Sequence, residues 1–156
     1  MTWTEKEVPS LELCKRLKEL GFPQDGGEGW YWREGKIKPV LGLLIDKSDL
    51  GWTLLECVDG IWAKSPYLYG EELKKLIKAP TCRELLEIKE KGILIEIVYD
   101  SVIQRFYVRC IVEKVNFESP PYHSEFGEKL SDLLAKIRIW LAENGYVKFV
   151  EVKDDK

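Results

Sequence analysis

The sequence has little of what metal sites and nucleophilic active sites are built from. Its single histidine is His123, and its four cysteines, which form no CxxC pair, are Cys14, Cys57, Cys82 and Cys110. Zinc sites need clustered thiolate and imidazole ligands, so we expect no structural zinc. Ser-His or Cys-His catalysis would have to use His123, but the Pro-Pro-Tyr-His-Ser loop around it matches no catalytic motif. We expect this histidine to have a surface or packing role.

The chain also lacks a surplus of charge of either sign and any long apolar run. It carries 24 basic and 27 acidic residues, for a net charge of −3. Binding to long nucleic acid requires an excess of Lys and Arg, so we expect none. No apolar run reaches about 18 residues, and the N-terminus has no signal pattern. We therefore expect a cytoplasmic protein without a membrane partner, with reduced thiols.

Apolar and aromatic residues are plentiful. Hydrophobic residues make up 45% of the chain, including six Trp, seven Tyr and five Phe, which is enough for a sizeable core. The length of 156 residues fits one domain. Helical and strand patterns are grouped along the chain rather than strictly alternating. The sequence predicts a single compact α+β domain over residues 1–156, with about three helices packed on a mainly antiparallel sheet.

Three helices have recognisable ends. The first is predicted after the Pro9-Ser10 pair and stops at Gly21. A capping box at residues 81–84 starts the second, which we expect to end near residue 92. The third is predicted over residues 125–144, with Phe126 on its apolar stripe.

Alternating apolar residues predict the strands. The most convincing pair covers residues 93–99 and 104–115, with Val108 on the apolar face and Arg109 on the opposite face. Further strands are predicted at residues 37–45, 52–58, 61–63 and 147–150. Residues 71–78 have helical character.

Aromatic and basic residues near one another in the sequence are the candidate ligand-binding residues. Rings can stack on a nucleobase while guanidinium groups bind phosphate bidentately. The eight candidates are Trp30, Trp32, Arg33, Lys64, Tyr67, Arg105, Tyr107 and Arg109. The alternative is a half-exposed sheet on which Arg and Tyr pair with nearby Glu.

A second chemical interpretation uses carboxylates. Four acidic residues lie close enough in sequence to hold a divalent metal, as in metal-dependent phosphodiesterases: Asp46, Asp49, Glu56 and Asp59. A solvated turn rich in aspartate explains the same pattern without a metal. We predict neither a cofactor nor catalytic residues.

Three segments resemble a broad family of small proteins encoded by bacteriophages and prophages. They are SLELCKRLKELGFPQDGG from residue 10, APTCRELLE from residue 79 and LSDLLAKIRIWLAENGY from residue 130. These segments are mainly helix faces and caps, so the resemblance carries no catalytic residues. It implies a phage origin, and by analogy a role against host defence.

Taken together, these expectations favour a non-enzymatic phage protein that sequesters a small nucleotide-derived immune signal, such as a cyclic nucleotide or a cyclic ADP-ribose. We expect such a binder to form a homo-oligomer. One alternative is a phosphodiesterase that degrades the signal with the acidic group and a metal. Another is an inhibitor or adaptor that binds a host protein through an exposed apolar patch.

Overall fold

The computed structural model describes residues 8–24, 29–34, 52–58, 61–62, 76–115 and 118–149. The helices within them are α1 (Leu11–Glu19), α2 (Cys82–Leu86) and α3 (Leu130–Glu143). The strands are β1 (Gly29–Glu34), β2 (Trp52–Val58), β3 (Ile61–Trp62), β4 (Ile77–Ala79), β5 (Ile93–Asp100), β6 (Arg105–Val112) and β7 (Tyr122–Gly127). None of the described helices is long and apolar enough to cross a membrane.

The described strands form two antiparallel sheets. One has the strand order β3-β2-β1-β4, and the other has the order β5-β6-β7. Three helices combined with antiparallel sheets confirm the predicted α+β class. The strands are divided between two sheets, whereas the sequence pattern had led us to expect one.

Helix α1 begins and ends where the sequence predicted. Ser10 is at its N-cap, where the backbone amide donates to Asp132 Oδ1 at 2.7 Å and so connects α1 to α3. At the other end Gly21 has φ +95°, a left-handed conformation that glycine adopts without steric penalty. The buried face of α1 carries Cys14 and Leu17.

The predicted capping box of α2 is confirmed, but the helix is shorter than expected. The Glu84 amide donates to Thr81 Oγ1 at 3.3 Å, while the Glu84 carboxylate accepts from the Thr81 amide. The helix then ends at Leu86 rather than near Gly92. One turn and a half is too short to be stable alone, so α2 depends on its tertiary contacts.

The main core lies between α3 and the inner face of β6. Val108, Cys110 and Val112 are fully buried there, which confirms the predicted alternation along this strand. Helix α3 contributes a wide apolar surface, and Leu17 of α1 and Leu85 of α2 complete the cluster. The full α3 set is Leu133, Leu134, Ala135, Ile137, Ile139 and Leu141.

Other sequence predictions were wrong in this part of the chain. Residues 122–127 form strand β7 instead of the start of α3, and Phe126 is 55% exposed, facing Tyr107 across the sheet. Lys78 belongs to strand β4 rather than a helix. Residues 147–149 form no strand, although Val147 and Phe149 are buried. The strand predicted at residues 37–45 lies outside the described residues.

Candidate functional site

A prominent concavity in the described part of the chain is an open groove of about 690 Å³. Small-molecule sites usually have volumes of about 300–1,000 Å³. The groove lies between the end of α1, strand β4, α2 with the residues after it, and α3. Its lining residues are Lys18, Gly21, Phe22, Pro23, Gln24, Lys78, Glu84, Glu87, Lys89, Glu90, Arg138, Lys148 and Phe149. We call this concavity the basic groove.

Arg138 is the most unusual residue of the basic groove. It projects from α3, and only 7% of its surface is exposed. Its Nη1 donates to two backbone carbonyls at the end of α2, Leu85 at 3.4 Å and Glu87 at 3.2 Å. Its Nε is buried and has no hydrogen-bond partner among the described residues. A buried guanidinium with a free donor is a candidate ligand for an anionic group.

Two aromatic rings hold the Arg138 side chain. Its Cζ lies 5.0 Å from the ring centroid of Phe149 and 5.8 Å from that of Phe22, and the two rings meet edge to face at 5.3 Å. Burial between the rings lowers the pKa of Arg138, while Glu90 opposes this effect. An arginine stays protonated at neutral pH even with a lowered pKa. The rings therefore fix the position of a permanent positive charge.

Lys78 is a second buried cation of the groove, and it is already paired. Its side chain is 2% exposed, its Nζ lies 3.2 Å from Glu84 Oε2, and it stands 4.7 Å from the ring centroid of Tyr31. The backbone beside it is fixed by Gln24, whose Oε1 accepts from the Lys78 amide at 2.8 Å. Lys78 therefore contributes less free charge to the groove than Arg138 does.

The charges that line the groove favour an anion. Among the lining residues that the structure describes, there are five cationic side chains and three carboxylates, which leaves two positive charges in excess. The cations are Lys18, Lys78, Lys89, Arg138 and Lys148, and the carboxylates are Glu84, Glu87 and Glu90. Because the chain as a whole has a net charge of −3, this local excess is a property of the groove and not of the composition.

The predicted aromatic residues of β1 pack inward. Tyr31 is buried beside Leu76, while Trp30 and Trp32 pack against a small core cluster that contains Cys14 and Ile77. Burial raises the pKa of the Cys14 thiol to about 12, so this cysteine remains a neutral core residue at physiological pH. Within the described region, neither tryptophan lines the basic groove.

The predicted residues of β6 lie on the outer face of the three-stranded sheet. Arg109 donates through Nε at 3.1 Å and Nη2 at 2.7 Å to Glu96 Oε2. Arg105 lies 3.0 Å from Glu128, and Tyr107 is 39% exposed between the two arginines. This arrangement matches the alternative interpretation of a half-exposed sheet with paired charges. Arg109 also borders a shallow hollow of about 240 Å³.

The remaining candidates are only partly described. Arg33 lies in β1 opposite Thr53, and Glu56 lies in β2 opposite Trp30. Lys64, Tyr67 and the acidic residues Asp46, Asp49 and Asp59 lie outside the described residues. Among those that the structure describes, no three His, Cys, Asp or Glu side chains are grouped so that they could hold a metal ion.

His123 has the packing role expected from the sequence. Its ring stacks on Trp140 of α3 with centroids 5.2 Å apart and an interplanar angle of 16°. Its Nε2 lies 2.8 Å from Glu125 Oε2. The histidine therefore helps to attach β7 to α3, away from the basic groove.

Arg138 and Phe149 were not among the site residues predicted from the sequence. Arg138 lies between two buried isoleucines in the segment KIRIW, and an arginine at that position was a usable signal. Charged residues inside an apolar helix segment are rarely buried without a partner or a function.

Comparison with known proteins adds no information to the site described above. No protein-family model, curated protein or solved structure matches the chain.

Proposed function

We propose that the protein is a non-enzymatic binding protein that holds a small nucleotide-derived anion in the basic groove. The observation that carries this proposal is the state of Arg138, a cation more than nine-tenths buried whose Nε has no partner. Leaving a buried donor unsatisfied costs roughly 1–3 kcal/mol or more. An anion in the groove beside the guanidinium would offset part of that penalty by its charge.

The groove offers what a phosphate-bearing ligand needs. A guanidinium held by two aromatic rings and two carbonyls is preorganised, so little side-chain entropy is lost when it binds phosphate. Lys89 and Lys148 are exposed at the rim and add charge that attracts an anion over a longer range. Phe22 and Phe149 are only 7% and 6% exposed, so their role is to hold the guanidinium rather than to contact the ligand.

The resemblance to phage proteins supplies the biological role that we propose. In this role the protein sequesters a nucleotide immune signal, such as a cyclic dinucleotide or a cyclic ADP-ribose isomer, inside the infected cell. Titration calorimetry against a panel of these compounds tests the proposal, with inorganic phosphate and an uncharged nucleoside as references. Heat of binding from at least one panel member is expected, and no heat from any of them would contradict the proposed ligand class.

Recovery of the ligand separates binding from degradation. After incubation with Mg²⁺ or Mn²⁺ and heat denaturation, mass spectrometry should find the bound compound intact. Hydrolysis products would instead support the phosphodiesterase alternative and overturn the non-enzymatic assignment.

Two pairs of variants locate the site. Arg138→Met should weaken binding by roughly 10- to 100-fold, the equivalent of one charge-assisted hydrogen bond. Arg138→Lys keeps the charge but loses the planar donors, so it should recover only part of the affinity. Lys89→Glu should also weaken binding, whereas the neighbouring Lys91→Glu changes the net charge equally but does not line the groove. Equal effects of Lys89→Glu and Lys91→Glu would indicate a non-specific charge effect.

A further inference from the structure

Strand β5 is an unusual edge in the described part of the three-stranded sheet. The sheet order β5-β6-β7 leaves one side of β5 without a described neighbour. Its sequence, ILIEIVYD, contains no lysine or proline, which are common devices against edge-to-edge association. Ile97 and Tyr99 are 40% and 51% exposed on one face, and Leu94 and Val98 are 42% and 56% exposed on the other. One face of the strand is therefore apolar and accessible, while the other alternates Leu94 and Val98 with the acidic Glu96 and Asp100.

The backbone of β5 has donors and acceptors directed away from β6. The Glu113 amide donates to the Gly92 carbonyl at 2.8 Å, so Gly92 and Glu113 form a hydrogen-bonded pair at the end of this ladder. In an antiparallel ladder, hydrogen-bonded pairs alternate with non-hydrogen-bonded pairs. Given the register of β5 and β6, the N–H and C=O groups of Ile95, Ile97 and Tyr99 point to the open side.

We infer that β5 pairs with β5 of a second copy of this chain, antiparallel and around a two-fold axis at Ile97. Ile97 then lies opposite the partner's Ile97, and Ile95 lies opposite the partner's Tyr99. About six backbone hydrogen bonds form between the open groups of the two strands. The two three-stranded sheets become one sheet of six strands, and the exposed Ile97 and Tyr99 side chains cover one another.

Repulsion between like charges disfavours the two adjacent registers. If the axis lay one residue earlier, Glu96 would face the partner's Glu96, and if it lay one residue later, Glu96 would face the partner's Asp100. Directly opposed like charges destabilise a strand pair. With the axis at Ile97, Glu96 lies opposite the partner's Val98, and Asp100 lies opposite the partner's Leu94. In this register no charge of β5 lies opposite a like charge and its open backbone groups pair with their own copies, so an identical strand fits this edge.

Sedimentation equilibrium tests the association without any ligand, so its outcome is independent of the proposed function. The unsubstituted protein should have twice the 18.2 kDa mass of the chain at micromolar concentration. Ile97→Lys places two ammonium groups opposite each other at the axis and should give a monomer. Leu86→Lys is the matched control, since Leu86 is 41% exposed on α2, and it should remain a dimer. A monomeric unsubstituted protein, or a folded Ile97→Lys dimer, would overturn the inference.

Cysteine cross-linking tests the register. Opposed residues in a hydrogen-bonded pair have Cα atoms about 5.5 Å apart, which is within the disulfide range of about 4.4–6.8 Å. Ile97→Cys should therefore give a covalent dimer on mild oxidation, and reductant should reverse it. Val98→Cys should not, because the two Val98 Cα atoms would be roughly 8 Å apart. The unsubstituted protein measures the background from the native cysteines, and cross-linking only by Val98→Cys would refute the Ile97 register.

Discussion

Gly29 offers a direct test of how the buried Lys78 is held. Its φ of +119° is strained for any residue with a side chain, and a Cβ added there would lie 2.5 Å from Lys78 Nζ. Lys78 is 2% exposed and is held between Glu84 and the Tyr31 ring, so the ammonium cannot move aside without leaving its partners. Gly29→Ala should therefore destabilise the protein in two separable ways.

The backbone part of this effect is about 1–2 kcal/mol, the usual penalty for a side chain at positive φ. Gly145→Ala gives a lower reference for this part, since Gly145 has a less extreme φ of +74° and nothing lies within 4 Å of the added Cβ. Displacing Lys78 from Glu84 adds a part that is bounded by the roughly 3–5 kcal/mol lost when a buried ion pair is broken. We expect Gly29→Ala to lower the free energy of unfolding by about 3 kcal/mol in total, from these two contributions.

A double-mutant cycle with Lys78→Met separates the two parts. Methionine ends near the position of Lys78 Cε, which is 3.6 Å from the added Cβ, so the close contact disappears. In this background Gly29→Ala should lose only its backbone part, and the coupling free energy should exceed about 0.5 kcal/mol. Urea unfolding followed by tryptophan fluorescence measures all four proteins. If the two single losses are simply additive, the argument that Gly29 makes room for the ammonium is refuted.

Three further predictions concern α2, the core and the thiols. Thr81→Ala should lower the free energy of unfolding by about 1 kcal/mol in thermal melts, because the hydroxyl caps α2. Thr81→Ser keeps the hydroxyl and should lose much less stability; equal losses would argue against the cap. Leu134→Ala should lower the free energy of unfolding, measured in urea, by about 2–5 kcal/mol, whereas Leu86→Ala at an exposed position should lower it by less than about 0.5 kcal/mol. Similar losses would contradict the assigned core. Burial raises the pKa of Cys14 to about 12 and that of Cys110 to about 11, from 9.0. Because the folded state favours the neutral thiols, their contribution to the free energy of unfolding should be complete below pH 9 and should be lost as the pH rises toward 11–12. Cys14→Ala should flatten this fall in the urea midpoint, and an unchanged slope would show that Cys14 is not its cause.

The elements that the sequence predicted well are those whose signals are local. The Thr81 and Glu84 side chains satisfy backbone groups three residues away, and Gly21 ends α1 through its own φ. The alternation along β6 was equally readable, because one face of that strand packs on α3 and the other faces solvent. Such patterns need no knowledge of the rest of the chain.

The wrong predictions involve patterns that fit two structures. Phe126 is in helical phase with Leu130, but Gly127 separates them, and Phe126 instead lies opposite Tyr107 on the outer face of the sheet. Lys78 ended a segment with helical character, residues 71–78, whereas it lies in strand β4 and its ammonium is buried by contacts with Tyr31 and with Glu84. These outcomes depend on partners distant in the sequence.

The same long-range dependence limited the prediction of the site. Trp30, Trp32, Arg105 and Arg109 were selected because they are aromatic or basic and are near one another in the sequence. The structure places the first two against a core cluster and pairs the arginines with Glu128 and Glu96. The basic groove instead combines residues from both ends of the chain, such as Phe22 and Phe149, which no local window brings together.

The carboxylate of Glu84 serves two structures at once. Its Oε1 accepts from the Thr81 amide at the start of α2, and its Oε2 neutralises Lys78 in the interior of the first sheet. Glu84→Gln keeps an oxygen that can accept from the Thr81 amide but removes the charge that pairs with Lys78, so it separates the two roles. One acidic group thus links the cap of a very short helix to a buried lysine of strand β4.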